Sequence, residues 1–292
     1  MRQIKIGTII GVAEAPEKIP KLAALGFECF EVSGWEHKDN AFLGDALKRV
    51  KEAADRTGTE ISAVGYYGNP LDPGAGSEQA LECVRAAIDN VHLLGTDLFT
   101  GFAGRVVDRP IEESIPVFGK VWGELAKRAE SLGVRIGFEN CDMDGDWRLG
   151  GWNIAYNPAS WEMMFNEVTS DSVGLEWEPC HQMVQLIDPI PELRKWVKKV
   201  FHVHGKDATI AWDVIRDYGI KSNRAFSWHR TPGFGDSNWA DIITILRMGG
   251  YQGNIDIEGF HDPVYRGELE WSGQVVGLEY LKRCRGGDAI KL

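Results

Sequence analysis

The sequence predicts an α/β fold of the (β/α)8, or TIM-barrel, class. Eight short apolar or β-branched segments alternate with amphipathic stretches of helical periodicity, a pattern typical of parallel strands joined by right-handed helical crossovers. Eight such units usually close into a barrel, and 292 residues suit a barrel of this kind. With no linker or repeat along the chain, we expect one domain over residues 1–292. An open, doubly wound sheet is the alternative.

The strand segments contain β-branched and aromatic residues and end near glycine or polar residues. They are predicted at 4–11, 27–34, 60–68, 96–104, 134–141, 172–179, 200–207 and 254–261. Helices are predicted at 16–26, 45–58, 77–95, 114–133, 158–168, 188–199, 238–250 and 267–283. Asp45, Ser77 and Ser114 are expected to cap three of the helices, which end on glycines.

Two connections are unusually long, at 142–157 and 208–238. Both follow strands and are expected to be loops without regular structure. They therefore belong to the end of the barrel where active sites lie.

Composition excludes several classes of partner. The net charge of −11 argues against nucleic acid and against an anionic membrane surface. Five widely spaced cysteines, without a CxxC pair, are typical of a reduced compartment. The N-terminus has no signal-peptide pattern, and no segment is apolar enough to span a bilayer. A cytoplasmic location is therefore expected.

Charged residues alternate with apolar residues in the later strands. Because alternate side chains of a strand point to opposite faces, the apolar set should face the helices and the charged set the barrel interior. The inward set contains Glu139, Glu176, Glu178, His202, His204, Lys206, Asp256 and Glu258.

So many acids cannot be buried together without protons or a cation to compensate them. The sequence predicts one divalent metal bound by Glu139, Glu178, His204 and Glu258. Carboxylates with one imidazole suit Mn²⁺, Mg²⁺, Co²⁺ or Zn²⁺, and the choice stays open. The alternative is a buried ion-pair network that joins these acids to Lys206, Arg230 and the histidines.

Several motifs resemble those of the xylose-isomerase-like TIM-barrel superfamily, in its sugar-phosphate isomerase/epimerase branch, over nearly the whole chain. The family's H-x-H-x-K-D is intact at residues 202–207, and R-x-P-G-x-G-x-x-x-W lies at residues 230–239. Its N-x-D-P-S-H reads EWEPCH at residues 176–181, and YYGNPLDP at residues 66–73 is also typical of this branch. Glu139 and Glu258 match the glutamates of strands five and eight.

The resemblance implies that Glu139, Glu178, His204 and Glu258 bind the metal, that Glu139 and Glu258 move a proton, and that His181 contacts substrate. In one departure from the pattern, Glu178 replaces the family aspartate and Glu176 the preceding asparagine. Either the metal is shifted, or Glu176 supplies an extra acid or ligand.

Such a site suits proton abstraction next to a sugar carbonyl, with the metal stabilising an enediolate. Isomerisation or epimerisation of a keto-sugar or sugar phosphate is the favoured reaction. A lyase or dehydratase acting on a keto-sugar or keto-inositol comes second, and a non-catalytic sugar-binding barrel is the alternative of another class. A DNA-repair endonuclease of this superfamily is disfavoured by the acidic charge.

Further residues are candidates for contact with the sugar, and Glu176 is one of them. Lys206 is expected either to hold a substrate oxygen or to neutralise Glu176, and Arg230 either to bind substrate or to form a salt bridge at the rim. By analogy with related barrels, a homodimer is possible. The remaining candidates around the mouth are Trp35, Tyr66, Tyr67, Asn69, Trp152 and His229.

Overall fold

Eight parallel strands close into a barrel in the computed structural model, which describes residues 2–35, 42, 44–74 and 76–287. Pairing of Ile6 with Ile255 joins the first strand to the last, so the open-sheet alternative is wrong. The barrel strands are β1 (Ile6–Gly11), β2 (Cys29–Trp35), β3 (Glu60–Tyr67), β4 (Leu98–Gly101), β5 (Arg135–Glu139), β6 (Val173–Trp177), β7 (Val200–Gly205) and β10 (Ile255–Ile257).

Helices surround the barrel, and all eight predicted helices are present. Two short 3₁₀ segments lie at Val91–Leu94 and Gly267–Leu269. The α-helices are α1 (Ala15–Ala24), α2 (Gly44–Thr57), α3 (Ser77–Asn90), α4 (Ile111–Leu132), α5 (Pro158–Glu167), α6 (Pro179–Met183), α7 (Pro189–Trp196), α8 (Trp212–Tyr218), α9 (Trp239–Met248) and α10 (Glu270–Arg285). Among the described residues, no helix combines the length and apolar character needed to cross a membrane.

The connection after β7 is more ordered than predicted. The antiparallel strands β8 (Asp207–Ile210) and β9 (Ser227–Arg230) form a ribbon, and α8 lies between them. The expectation that 208–238 lacks regular structure is therefore wrong. The segment 142–157, by contrast, contains no helix or strand.

All three predicted helix caps are wrong. Asp45 is the second residue of α2 and so lies within the helix. Ser77 is the first residue of α3, and its hydroxyl donates to the carbonyl of Gly74 instead of capping the helix. Ser114 lies inside α4, which begins three residues earlier, and its hydroxyl accepts from the Val106 amide. Gly133 ends α4 in the left-handed conformation at φ 67°, as predicted.

The core confirms the predicted alternation along the strands. Phe138 and Trp177 are fully buried in the apolar layer between barrel and helices. Glu176, next to Trp177, and Asp256, between Ile255 and Ile257, are equally inaccessible but lie in a polar network within the barrel. The fold thus concentrates ionisable groups along the barrel axis.

Candidate metal centre

Four side chains at the carboxyl ends of β5, β6, β7 and β10 form what we call the cavity cluster: Glu139, Glu178, His204 and Glu258. One ligand atom from each lies within 4.8 Å of every other. Nδ1 of His204 is 2.9 Å from Oε1 of Glu139 and 3.5 Å from Oε2 of Glu258. The four residues predicted to bind a metal are therefore brought together.

Two asparagines hold this end of the barrel. The Asn140 side chain accepts from the Glu178 amide at 2.7 Å and donates to the Glu178 carbonyl at 2.9 Å, which locks the ends of β5 and β6 together. Asn153 donates to the carbonyls of Glu139 and Cys141, each at 2.8 Å. Side-chain amides, and not salt bridges, thus hold the backbone at Glu139 and Glu178.

The oxygen atoms of the cavity cluster fit a cation. Within the described part of the chain, both carboxylate oxygens of Glu178 and Oε2 of Glu258 are buried and have no hydrogen-bond partner. Buried carboxylate oxygens rarely stay without a donor, and a divalent ion bound by three carboxylates and one imidazole would satisfy them. The longer Glu178 still reaches the cluster.

Part of the alternative ion-pair network is present as well. Nζ of Lys206 is 2.8 Å from Oε1 of Glu258 and 3.9 Å from Oε1 of Glu178. Arg230 takes no part in it, because its guanidinium pairs with Asp262 at 3.0 Å. Lys206 therefore offsets some of the negative charge, while three carboxylate oxygens of the cavity cluster keep no hydrogen-bond partner among the described residues.

A second group lies deeper in the barrel, the interior cluster of Glu31, Glu176, His202 and His204. Nε2 of His204 is 2.9 Å from Oε2 of Glu31 and 3.0 Å from Oε1 of Glu176. The Tyr67 hydroxyl lies 2.6 Å from Oε1 of Glu31 and 2.9 Å from Oε2 of Glu176. His204 thus bridges both clusters, with one ring nitrogen facing each.

Sequence reasoning missed Glu31. The signal was available, since Glu31 lies between Phe30 and Val32 in β2, the same alternation that identified the later acids. Glu176, predicted to contact substrate, instead lies beneath His204, with Oε1 2.8 Å from Nδ1 of His202. That expectation is corrected: the position where the family has asparagine carries an interior acid paired to histidines.

Burial and neighbouring charges move several pKa values. Desolvation raises the pKa of Glu139 to about 8, assisted by Glu258 and Glu178 and opposed by His204. Desolvation also acts on Glu176, but His204 and His202 outweigh it and lower the pKa of Glu176 to about 2. The pKa of His202 rises to about 9 against desolvation, because the carboxylates of Asp256 and Glu176 accept hydrogen bonds from its protonated ring.

A cavity of about 600 Å³ opens above the cavity cluster. Its wall includes five of the predicted substrate-binding residues, Trp35, Tyr67, His181, Lys206 and His229. Trp35 is 52% exposed and stacks on Tyr67 with ring centroids 5.4 Å apart. Phe102 and Phe260 also line the cavity with apolar surface, and neither was predicted from the sequence.

Other predicted mouth residues lie elsewhere. Tyr66 packs in the hydrophobic core, edge-on to Phe42. The Asn69 side chain bonds the backbone of Leu71, Arg105 and Gly151, so it joins loops instead of facing the cavity. Trp152 packs against the Tyr67 cluster and lines a separate depression beside Asn69. For Tyr66, Asn69 and Trp152, the predicted position on the cavity wall is therefore corrected.

The chain was compared with known proteins. The family described as "Xylose isomerase-like TIM barrel" matches residues 19–284. A Bacillus subtilis (strain 168) protein, "Uncharacterized protein YfiH", is 24% identical over 81% of this chain and 85% of its own length. The inosose dehydratase of Clostridium tetani (strain Massachusetts / E88) is 27% identical over 57% of this chain and 56% of its own.

Among solved structures, 3-keto-D-glucoside 4-epimerase YcjR from E. coli superposes with a TM-score of 0.72 at 17% identity, over 97% of this chain and 100% of that one. At this identity the likeness shows the fold alone. The family match covers most of the chain, including all four residues of the cavity cluster. The chain therefore belongs to the xylose isomerase-like TIM-barrel family.

Proposed function

We propose that the chain is a divalent-metal-dependent isomerase or epimerase of a keto-sugar or sugar phosphate, acting by proton abstraction next to the carbonyl. The observation that carries the proposal is the cavity cluster itself. Three carboxylates and an imidazole converge at the base of a cavity, and three buried carboxylate oxygens lack donors within the described residues. A divalent ion held there would supply Lewis-acid stabilisation of the negative charge that develops on the sugar oxygens.

The two proposed proton-transfer groups are Glu139 and Glu258. Both carboxylates approach Nδ1 of His204, and both line the cavity where a sugar would lie. Without the ion, burial raises the pKa of Glu139, whereas Lys206, 2.8 Å from Glu258, outweighs burial and lowers the pKa of Glu258. As ligands of the ion both groups would be ionised, and two carboxylates beside one ion suit removal and return of a proton.

The rest of the cavity suits a sugar. His181, Lys206 and His229 offer polar contacts on the wall, and aromatic surfaces lie at the exposed Trp35 and Phe260. Desolvation and the nearby charges of Lys206 and His181 lower the pKa of His229 to about 3, so its imidazole is neutral at pH 7. A neutral imidazole both donates and accepts, as recognition of a hydroxyl requires.

A dehydratase is the second candidate function, favoured by the match to the inosose dehydratase of Clostridium tetani. Elimination begins with the same proton removal and then needs an acid for the departing hydroxyl. His181 suits that role because it lines the cavity beside Glu178, with Nε2 and Oε1 2.7 Å apart.

The test begins with protein stripped of metal by a chelator and assayed on a panel of keto-sugars, sugar phosphates and keto-inositols. We expect activity only after Mn²⁺ or Co²⁺ is restored. Glu258→Gln should lose about 100-fold or more in kcat, the typical share of a proton-transfer group. Glu268→Gln, an exposed glutamate ten residues further along the chain, is the matched control. Activity that survives exhaustive chelation, or full activity in Glu258→Gln, would overturn the proposal.

A further inference from the structure

A third group of potential ligands lies on the cavity wall beside the cavity cluster. We call it the wall cluster: Cys141, Asp142 and His181. One ligand atom from each lies within 4.8 Å of the others, and all three residues line the cavity. Cys141 is 8% exposed and His181 2% exposed, whereas Asp142 is half-buried. The thiol and the imidazole are thus shielded, and the carboxylate opens toward the cavity.

An unsatisfied atom points to a missing partner. Nδ1 of His181 is buried and has no hydrogen-bond partner among the described residues. Nδ1 lies 3.6 Å from Oδ1 of Asp142, too far for a hydrogen bond. Two ligands of one tetrahedral ion stand about 3.4 Å apart, given metal–ligand bonds of about 2.1 Å. The spacing of this pair therefore matches a shared cation better than direct contact.

The other nitrogen of the same ring lies close to a carboxylate. Nε2 of His181 is 2.7 Å from Oε1 of Glu178 and 3.4 Å from Nζ of Lys206. A histidine that binds a metal through one nitrogen usually directs the other N–H to a carboxylate, which fixes its tautomer. A proton on Nε2 would leave Nδ1 free as a ligand toward Cys141 and Asp142.

We propose that Cys141, Asp142 and His181 form a second divalent-cation site, separate from the cavity cluster and open to the cavity. Bound to the ion as thiolate and carboxylate, Cys141 and Asp142 would carry two negative charges, which one divalent ion balances, and His181 would bind as the neutral imidazole. A sulfur, oxygen and nitrogen ligand set selects Zn²⁺ or Co²⁺, whereas Mn²⁺ and Mg²⁺ prefer oxygen-rich sites such as the cavity cluster. The inference needs no sugar chemistry and does not rest on the proposed reaction.

Cobalt distinguishes the two sites, because only the wall cluster offers sulfur. Metal-free, reduced protein is titrated with Co²⁺ while absorbance is recorded, and bound metal is measured after removal of excess. We expect two Co²⁺ per chain and a thiolate-to-cobalt charge-transfer band in the near ultraviolet. Mn²⁺ should bind at one per chain, and circular dichroism checks that each variant is folded.

Variants assign each signal to its site. Cys141→Ser should bind one Co²⁺ and lose the band, whereas Cys83→Ser, a half-buried thiol on α3, should keep both. Asp142→Asn keeps the thiol and should weaken Co²⁺ binding at the wall cluster at least tenfold. Glu258→Gln should weaken Co²⁺ binding at the cavity cluster and keep the charge-transfer band.

Two results would overturn the second site: a wild-type protein that binds one Co²⁺ without the band, or a band that survives Cys141→Ser. In either case, if Glu258→Gln weakens the binding of a single Co²⁺ ion, the cavity cluster is still supported as a metal site. Conversely, a band with only one bound ion would support the wall cluster and count against the cavity cluster. Failure of this inference is thus distinguishable from failure of the proposed function.

Discussion

Replacing Tyr67 by phenylalanine tests how the two buried acids of the interior cluster are tolerated. The Tyr67 hydroxyl lies between Glu31 and Glu176, at 2.6 and 2.9 Å. Burial and the charges of Glu176 and Glu31 raise the pKa of Tyr67 well above its usual value, so the hydroxyl keeps its proton and acts as the donor. The phenylalanine ring would retain the contacts with Trp35 and Phe102. The variant therefore removes one proton donor and little packing.

A hydrogen bond to a charged group contributes about 1.5–3 kcal/mol. In the wild-type protein the hydroxyl proton also reduces the repulsion between the two carboxylates. We therefore expect Tyr67→Phe to lower the free energy of unfolding by about 2–3 kcal/mol. Tyr251→Phe is the matched control, because the buried Tyr251 hydroxyl donates to a neutral carbonyl, that of Asn254, at 2.5 Å. It should lose about 1 kcal/mol.

The assay is urea unfolding of metal-free protein at pH 7, with unchanged m-values as the check that the unfolding transition is comparable. A loss in Tyr67→Phe no larger than that in Tyr251→Phe would refute the reasoning. It would mean that the two acids do not depend on the shared proton.

Three further predictions concern other parts of the molecule. Burial alone would raise the pKa of Glu28, but hydrogen bonds from Arg285 and the Ile6 amide lower it below 4.5. A carboxyl whose pKa is lower in the folded than in the unfolded state stabilises the fold at pH values above the unfolded pKa, and this stabilisation is lost as pH falls. In urea unfolding, Glu28→Gln should therefore lower the free energy of unfolding by about 1–2 kcal/mol at pH 7 and by progressively less below pH 4.5. A loss independent of pH would contradict this. Asn140→Ala should weaken Mn²⁺ binding about 10–100-fold in calorimetry by freeing the Glu178 backbone, and unchanged affinity would count against that role. Trp35→Ala should raise KM with kcat nearly unchanged, since Trp35 is a half-exposed wall residue; a fall in kcat alone would contradict a binding role.

The sequence predicted the barrel and the cavity cluster because both depend on local alternation. Once Phe138 and Trp177 are assigned to the helix side, Glu139 and Glu176 must point inward, and the parallel topology brings the strand ends together. The same rule would have found Glu31, but β2 carries a single inward acid and no second charged residue to draw attention to it.

What the sequence could not predict depends on contacts between distant segments. Asp207 is such a case, since its carboxylate accepts from the amide of Ser237, 2.9 Å away, and holds the loop after β9. The ribbon of β8 and β9 requires residues separated by α8 to pair, which no local pattern indicates. Asn69 likewise resembles a mouth residue by position, but its amide is used entirely by backbone partners.

The most direct test of the central claim measures deuterium transfer from D₂O to the carbon next to the carbonyl of a panel of keto-sugars. Protein saturated with Mn²⁺ should incorporate deuterium into at least one sugar, and stripped protein should not. Glu258→Gln, loaded with Mn²⁺ at saturating concentration, should lose the exchange. Bound metal without exchange into any sugar of the panel, or exchange that persists without metal, would contradict the account.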